Sequence, residues 1–117
     1  MSESTTTAEP PVQAPPKTAP AKPRPRTQPP YAVIIENDDE HTMDYVIEVL
    51  QKVFGKPLED ALLLTLEAHE AGEAQVWSGS LEVAELKRDQ VRGFGPDIYA
   101  GKPVKFPLGV RIEPLAG

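Results

Sequence analysis

At 117 residues the chain has room for one small domain and a tail, and without cysteine it has no disulfide framework, no Cys-ligated zinc and no Cys nucleophile. The formal net charge is −6; residues 1–30 hold four basic and two acidic side chains, which leaves −8 on residues 31–117. An acidic domain is a poor nucleic-acid binder, because neutralising phosphates needs a basic face.

In chain order, residues 1–30 hold nine of the fourteen prolines and few large apolar side chains. Such a segment cannot bury enough apolar area to offset the entropy lost on ordering, so it is expected to be a disordered, proline-rich extension with polyproline character. Its start lacks the apolar middle of a secretory signal, and no stretch approaches the roughly 20 apolar residues of a bilayer-spanning helix. The expectation is a cytoplasmic protein with neither membrane nor nucleic-acid partners. Residues 31–117 form the folding unit. Tyr31–Ile35 is β-branched and aromatic, follows Pro29-Pro30 and runs into Asn37-Asp38-Asp39, which predicts a strand ending in an acidic turn. Thr42 is positioned to cap a helix, although Tyr45 stands where a capping box wants Glu. Val46, Val49, Leu50 and Val53 share one face of that helix, and Gly55 stops it. Pro57 suits the first turn of a second helix, ending near Gly72, whose Leu62, Leu63, Leu64 and Leu66 predict burial on more than one face. A short strand at 74–78 carries Trp77, expected to be half-buried sheet cover. Ser80 then caps a third helix with Leu81, Val83, Ala84, Leu86 and Val91. Gly93-Phe94-Gly95-Pro96 breaks it, residues 94–107 read as a loop, and Leu108–Glu113 alternates as a terminal strand. The order β-α-α-β-α-β predicts an α+β two-layer sandwich with a small three-stranded antiparallel sheet, the first two helices pairing as a hairpin.

Residues 37–43 gather three carboxylates, one amide and one histidine at a strand end. A metal site built on Asp38, Asp39, His41 and His69 would match neither the calcium-loop nor the zinc spacing. An Asp/His acid–base pair lacks any Ser or Cys nucleophile elbow, and no glycine loop cradles phosphate. Two readings remain. Either these acceptors hold a cation beside an apolar pocket, or they decorate a turn and cap the first helix. His69, near a helix C-terminus, equally suits a ligand or a partner for the last carbonyls. Spacing does not choose between them.

The strand into Asn37-Asp38-Asp39, the segment Met43–Phe54, the ending Ala68-His69-Glu70-Ala71-Gly72 and the run Glu82-Val83-Ala84-Glu85-Leu86-Lys87 together resemble the ClpS family. These are adaptors of the ATP-dependent Clp protease of bacteria and plastids, and the resemblance spans essentially all of residues 31–117. It implies a non-enzymatic binding module, without metal or cofactor, for proteins whose free first residue is large and hydrophobic (N-degrons). By position, Asn37, Asp39 and His69 would hydrogen-bond the α-amino group, with Asp38 beside them fixing the start of the peptide backbone. Met43, Val46, Thr65, Ala68 and Leu108 would wall the side-chain pocket, Met43 as gate against β-branched residues. Glu82, Glu85 and Lys87 would dock on the N-terminal domain of a Clp unfoldase, which would also engage the N-terminal extension. The alternatives are a modulator of this fold that docks without reading N-degrons, and a metal-dependent enzyme using the acidic and histidine cluster.

The chain departs from the family pattern in three places. His41 and Thr42 replace the usual Thr and Pro before the gate, which predicts a less rigid helix entry and a titratable donor at the pocket mouth. Thr65 stands where Met is common, which predicts a wider pocket shifted toward aromatic first residues. The 94–107 loop is several residues longer than usual and carries Phe94, Tyr99 and Phe106, suited either to covering the sheet or to extending the pocket rim.

Overall fold

A computed structural model describes residues 28–116. The expected disorder of the proline-rich extension therefore lies, except for its last three residues, outside the described residues. Strand β1 (Tyr31–Glu36) is central, flanked by β2 (Glu73–Gly79) and β3 (Gly109–Pro114), both antiparallel to it. Its sequence suits that place: Ala32, Val33, Ile34 and Ile35 are all buried, and Val33 and Ile35 point into the core. Helices α1 (Met43–Phe54), α2 (Leu58–Ala71) and α3 (Leu81–Arg92) complete the β-α-α-β-α-β order. The core forms between helices and sheet, from Val33, Ile35 and Val110 on strands and Tyr45, Val49, Leu50, Ala84 and Val91 on helices. A register shift between Val33 and Ile34 makes Val76 the extra residue of β2, and partly buried Trp77 packs against the core.

The other sheet face is polar. Arg111 of β3 donates to Glu36 of β1 at 2.9 Å, to Glu73 of β2 at 2.9 Å and to its own strand's Glu113 at 2.8 Å, so one guanidinium joins all three strands. Its hydrogen bonds to these carboxylates, Glu73 first, hold its pKa above the ordinary value.

The expectation for α2 is corrected. Leu58, Leu62, Leu63 and Leu66 are exposed, and only Ala61, Thr65 and Ala68 are buried. Each helical step turns about 100°, so adjacent leucines spread around the cylinder and cannot share one buried stripe. The face that packs is the one with small residues at steps of four and three, which lets the helix lie close to its neighbours.

Candidate functional site

The site is assembled by a long-range hydrogen bond. Helix α2 ends at Gly72, whose φ of 90° is open to glycine at little steric cost, and whose N–H closes on Ala68 O at 2.9 Å. The Gly72 carbonyl then accepts the Asn37 N–H at 2.9 Å. This ties the turn after β1 to the last turn of α2 and sets Asn37 and Asp39 beside His69. Leu108 enters from the start of β3. A cavity of about 300 Å³ opens among these elements. Asn37, Asp38, Asp39, Met43, Val46, Thr65, Ala68, His69 and Leu108 all line it, with Ile35, Glu36, Glu40, His41 and Thr42. Its inner end is made of buried Ile35, Val46, Thr65, Ala68 and Leu108; Asn37, Asp39, Met43 and His69 are exposed.

Asp38 is engaged within the turn. Its Oδ1 accepts the N–H of Glu40 at 2.8 Å and of His41 at 2.7 Å, and its Oδ2 faces His41 Nδ1 at 2.6 Å. Burial pushes its carboxyl up, but the His41 N–H, the His41 ring and the Glu40 N–H outweigh that and hold it below the ordinary 3.8. Among the described residues, the side chains of Asn37, Asp39 and His69 have no hydrogen-bond partner, so their acceptors are uncommitted where they line the cavity. Thr65 Oγ1 donates to Ala61 O at 2.7 Å, which spends its proton and leaves lone pairs.

The reading of His41 as a donor at the pocket mouth is corrected. Its side chain is fully buried, and its Nε2 meets Phe106 O at 2.9 Å while Nδ1 holds Asp38. The ring stacks on Tyr45 at 5.1 Å and meets the Phe106 ring edge-on at 4.9 Å. Thr42 caps α1 as expected, accepting the Tyr45 N–H at 3.2 Å. The entry to α1 is not loose, because Asp97 holds it. Its buried carboxylate accepts the Thr42 N–H at 2.7 Å, the Thr42 hydroxyl at 3.0 Å and the Tyr99 N–H at 2.9 Å. Burial pushes this carboxyl up as well, and the Thr42 and Tyr99 donors bring it below 3.8. Asp97 has no signature in the sequence beyond a loop position.

Chemically, the cavity offers an amide, a carboxylate and an imidazole at its mouth and an apolar interior. An α-ammonium presents three donors in a tight cone and needs several convergent acceptors, one of them charged. Among the described residues, no group of three or more His, Asp or Glu side chains stands as a candidate metal cage. Glu82, Glu85 and Lys87 lie away from the cavity on α3. Both glutamates are exposed, and Lys87 Nζ donates to Val53 O at 2.8 Å in the last turn of α1, close over Phe54.

Comparison with known proteins points to one family. The family model described as "ATP-dependent Clp protease adaptor protein ClpS" matches residues 26–105. The ClpS adapter protein of Desulforapulum autotrophicum is 43% identical over 85 residues, covering 73% of this chain and 76% of that one. That of Campylobacter jejuni is 39% identical over 83 residues, covering 71% and 80%. Among solved structures, Agrobacterium tumefaciens ClpS2 bound to L-phenylalaninamide matches with a TM-score of 0.65 at 29% identity, covering 76% of this chain and all of that one.

Proposed function

The chain belongs to the ClpS family of Clp protease adaptors, and on that premise we propose that it binds proteins by a free, bulky hydrophobic first residue and delivers them to a Clp unfoldase and its protease. One observation carries the reading: uncommitted acceptors on Asn37, Asp39 and His69 share a cavity with a buried apolar end. L-phenylalaninamide, held by the Agrobacterium relative, combines a free α-amino group with an aromatic side chain. In this chain the mouth reads the ammonium and the interior takes the side chain, which contributes roughly 1.5–3 kcal/mol for a Phe or Leu. Asp38 acts from behind, shaping the turn. Neither half performs bond chemistry, so the protein is an adaptor and not an enzyme. Met43, partly exposed at the entrance, is the gate, and Thr65 widens the interior toward aromatic residues.

Delivery uses other surfaces. Exposed Glu82 and Glu85 on α3, with Lys87 beside them, dock on the N-terminal domain of the unfoldase in the cytoplasm, and residues 1–30 supply the segment that the unfoldase engages. The test of recognition is a fluorescent peptide with a free N-terminal Phe compared with its acetylated twin. Acetylation removes donors and charge and leaves the acceptors without partners, so only the free peptide binds. Equal binding, or none, would move the assignment to a modulator that docks on the unfoldase without reading N-degrons.

A further inference from the structure

The segment between α3 and β3 runs over residues 93–108, and most of its polar contacts point at one place. Asp97 and Val104 pair back to back, N–H to carbonyl at 2.8 and 3.0 Å, closing residues 97–104 into a lobe. Four contacts fasten this segment to the turn and to α1. Asp97 takes the Thr42 N–H and hydroxyl. The Phe106 carbonyl meets His41 Nε2. The Tyr45 hydroxyl donates to Gly95 O at 2.6 Å, and the Tyr99 hydroxyl to Glu48 at 2.9 Å.

The first two contacts matter because of what lies one bond further on. His41 Nδ1 holds the Asp38 carboxylate, and Asp38 closes the turn that presents Asn37 and Asp39. Thr42 precedes Met43, and its hydroxyl both donates to Asp97 and accepts the Tyr45 N–H, so Asp97 sets the direction of the cap on which α1 starts. We propose that residues 94–107 are a clamp that preorganises both halves of the binding site, His41 acting as positioning residue for the amine-reading turn and Asp97 for the gate. This deepens the proposed function and rests on it. The physical gain is that a turn and a helix start already held in the bound pose lose less conformational freedom when a peptide arrives.

The test uses the full chain and peptides starting with free Phe, acetylated Phe or free Ile. If the unaltered protein does not separate free from acetylated Phe, the N-degron reading itself fails. Given that separation, Asp97→Ala and His41→Phe are expected to bind the free-Phe peptide about tenfold more weakly, as loss of a charge-assisted bond implies. Asp97→Ala should also narrow the preference for Phe over Ile. Asp97→Asn keeps an acceptor for the Thr42 N–H and is expected to stay within about threefold of the original. A lowered melting temperature with unchanged affinity and unchanged Phe-over-Ile preference would make the lobe merely structural and overturn the proposal. Should Asp97→Ala not fold, His41→Phe decides, together with hydrogen exchange of the unaltered chain. Slow exchange at the Thr42 and Tyr99 amides in the peptide-free protein supports a preformed clamp, and fast exchange there overturns it.

Discussion

Replacing Thr65 by Met is expected to convert a pocket suited to tryptophan into one suited to leucine. Thr65 is 3% exposed and lines a cavity of about 300 Å³. The longer, unbranched side chain reaches further into that cavity, and without peptide it fills empty space, so folding stability is kept or gains up to about 0.8 kcal/mol per buried methylene. With an indole in place the two compete for the same volume. Overpacking of this kind costs about 1–3 kcal/mol, a loss of roughly 5- to 150-fold in affinity, whereas a peptide starting with Leu should lose no more than about threefold. Thr65→Val separates shape from hydroxyl chemistry. The hydroxyl proton is spent on Ala61 O, so only its lone pairs can meet a phenol or indole donor. Removing them should cost Tyr- and Trp-led peptides about 0.5–1.5 kcal/mol and leave Phe-led ones unchanged. The assay is fluorescence anisotropy with four peptides differing only at the first residue (Trp, Tyr, Phe, Leu), with thermal melts as the folding control. Equal losses across all four in Thr65→Met, or a clear Leu preference in the unaltered protein, would refute the assignment of Thr65 as the specificity wall.

Asp39→Ala and His69→Ala, both at exposed positions without described partners, are expected to weaken free-amine binding by about tenfold or more with melting temperatures unchanged; retained affinity in either removes that residue from the amine site. Acid stability should follow Asp38 and Asp97. Both carboxyls lie below their ordinary 3.8 in the folded chain, so their contribution is present above that value and lost as pH falls through the lowered pKa. A melting-temperature profile should therefore be flat at neutral pH and drop in the acid range, and Asp97→Asn should flatten the drop; an unchanged acid limb in that variant counts against the Asp97 assignment. Lys87→Met should cost about 0.5–1.5 kcal/mol through loss of the bond to Val53 O, while Glu82→Gln should leave stability intact and weaken docking on the unfoldase's N-terminal domain. Isothermal titration and thermal melts distinguish the two, and a Glu82→Gln chain that docks normally removes Glu82 from the interface.

The order of elements was legible because each carries a local signature: β-branched residues in β1, caps at Thr42 and Ser80, glycines at 55 and 72. These features act within a few residues, so the chain declares them directly. The cavity was legible through the resemblance, not through spacing, since the turn with Asn37 is tied to the end of α2 by a bond from the Asn37 N–H to the Gly72 carbonyl. The misreading of α2 has a similar origin: leucines signal apolarity, but which face packs is decided by the small residues that fit a neighbour. His41 and Asp97 were opaque because their partners, Phe106 and Thr42, lie more than fifty residues away, and no periodicity connects a turn to a loop across that distance.

The central position of β1 has a mechanical consequence. Residues 1–30 lead into β1 at Tyr31, and β1 is laddered along its whole length on both sides, with one further bond from the Leu115 N–H to Pro30 O. A pull on the extension therefore loads two antiparallel ladders in shear, so that their hydrogen bonds share the force instead of opening one at a time, as they would at a peeled edge. Arg111, gripping Glu36 and Glu73 across the same strands, adds a cross-tie to that grip. An adaptor held by its tail would thus withstand traction that unravels a client attached by a less protected end, and the rate of forced unfolding from the N-terminus, which is set by the unfolding barrier and not by equilibrium stability, is the quantity in which that difference resides.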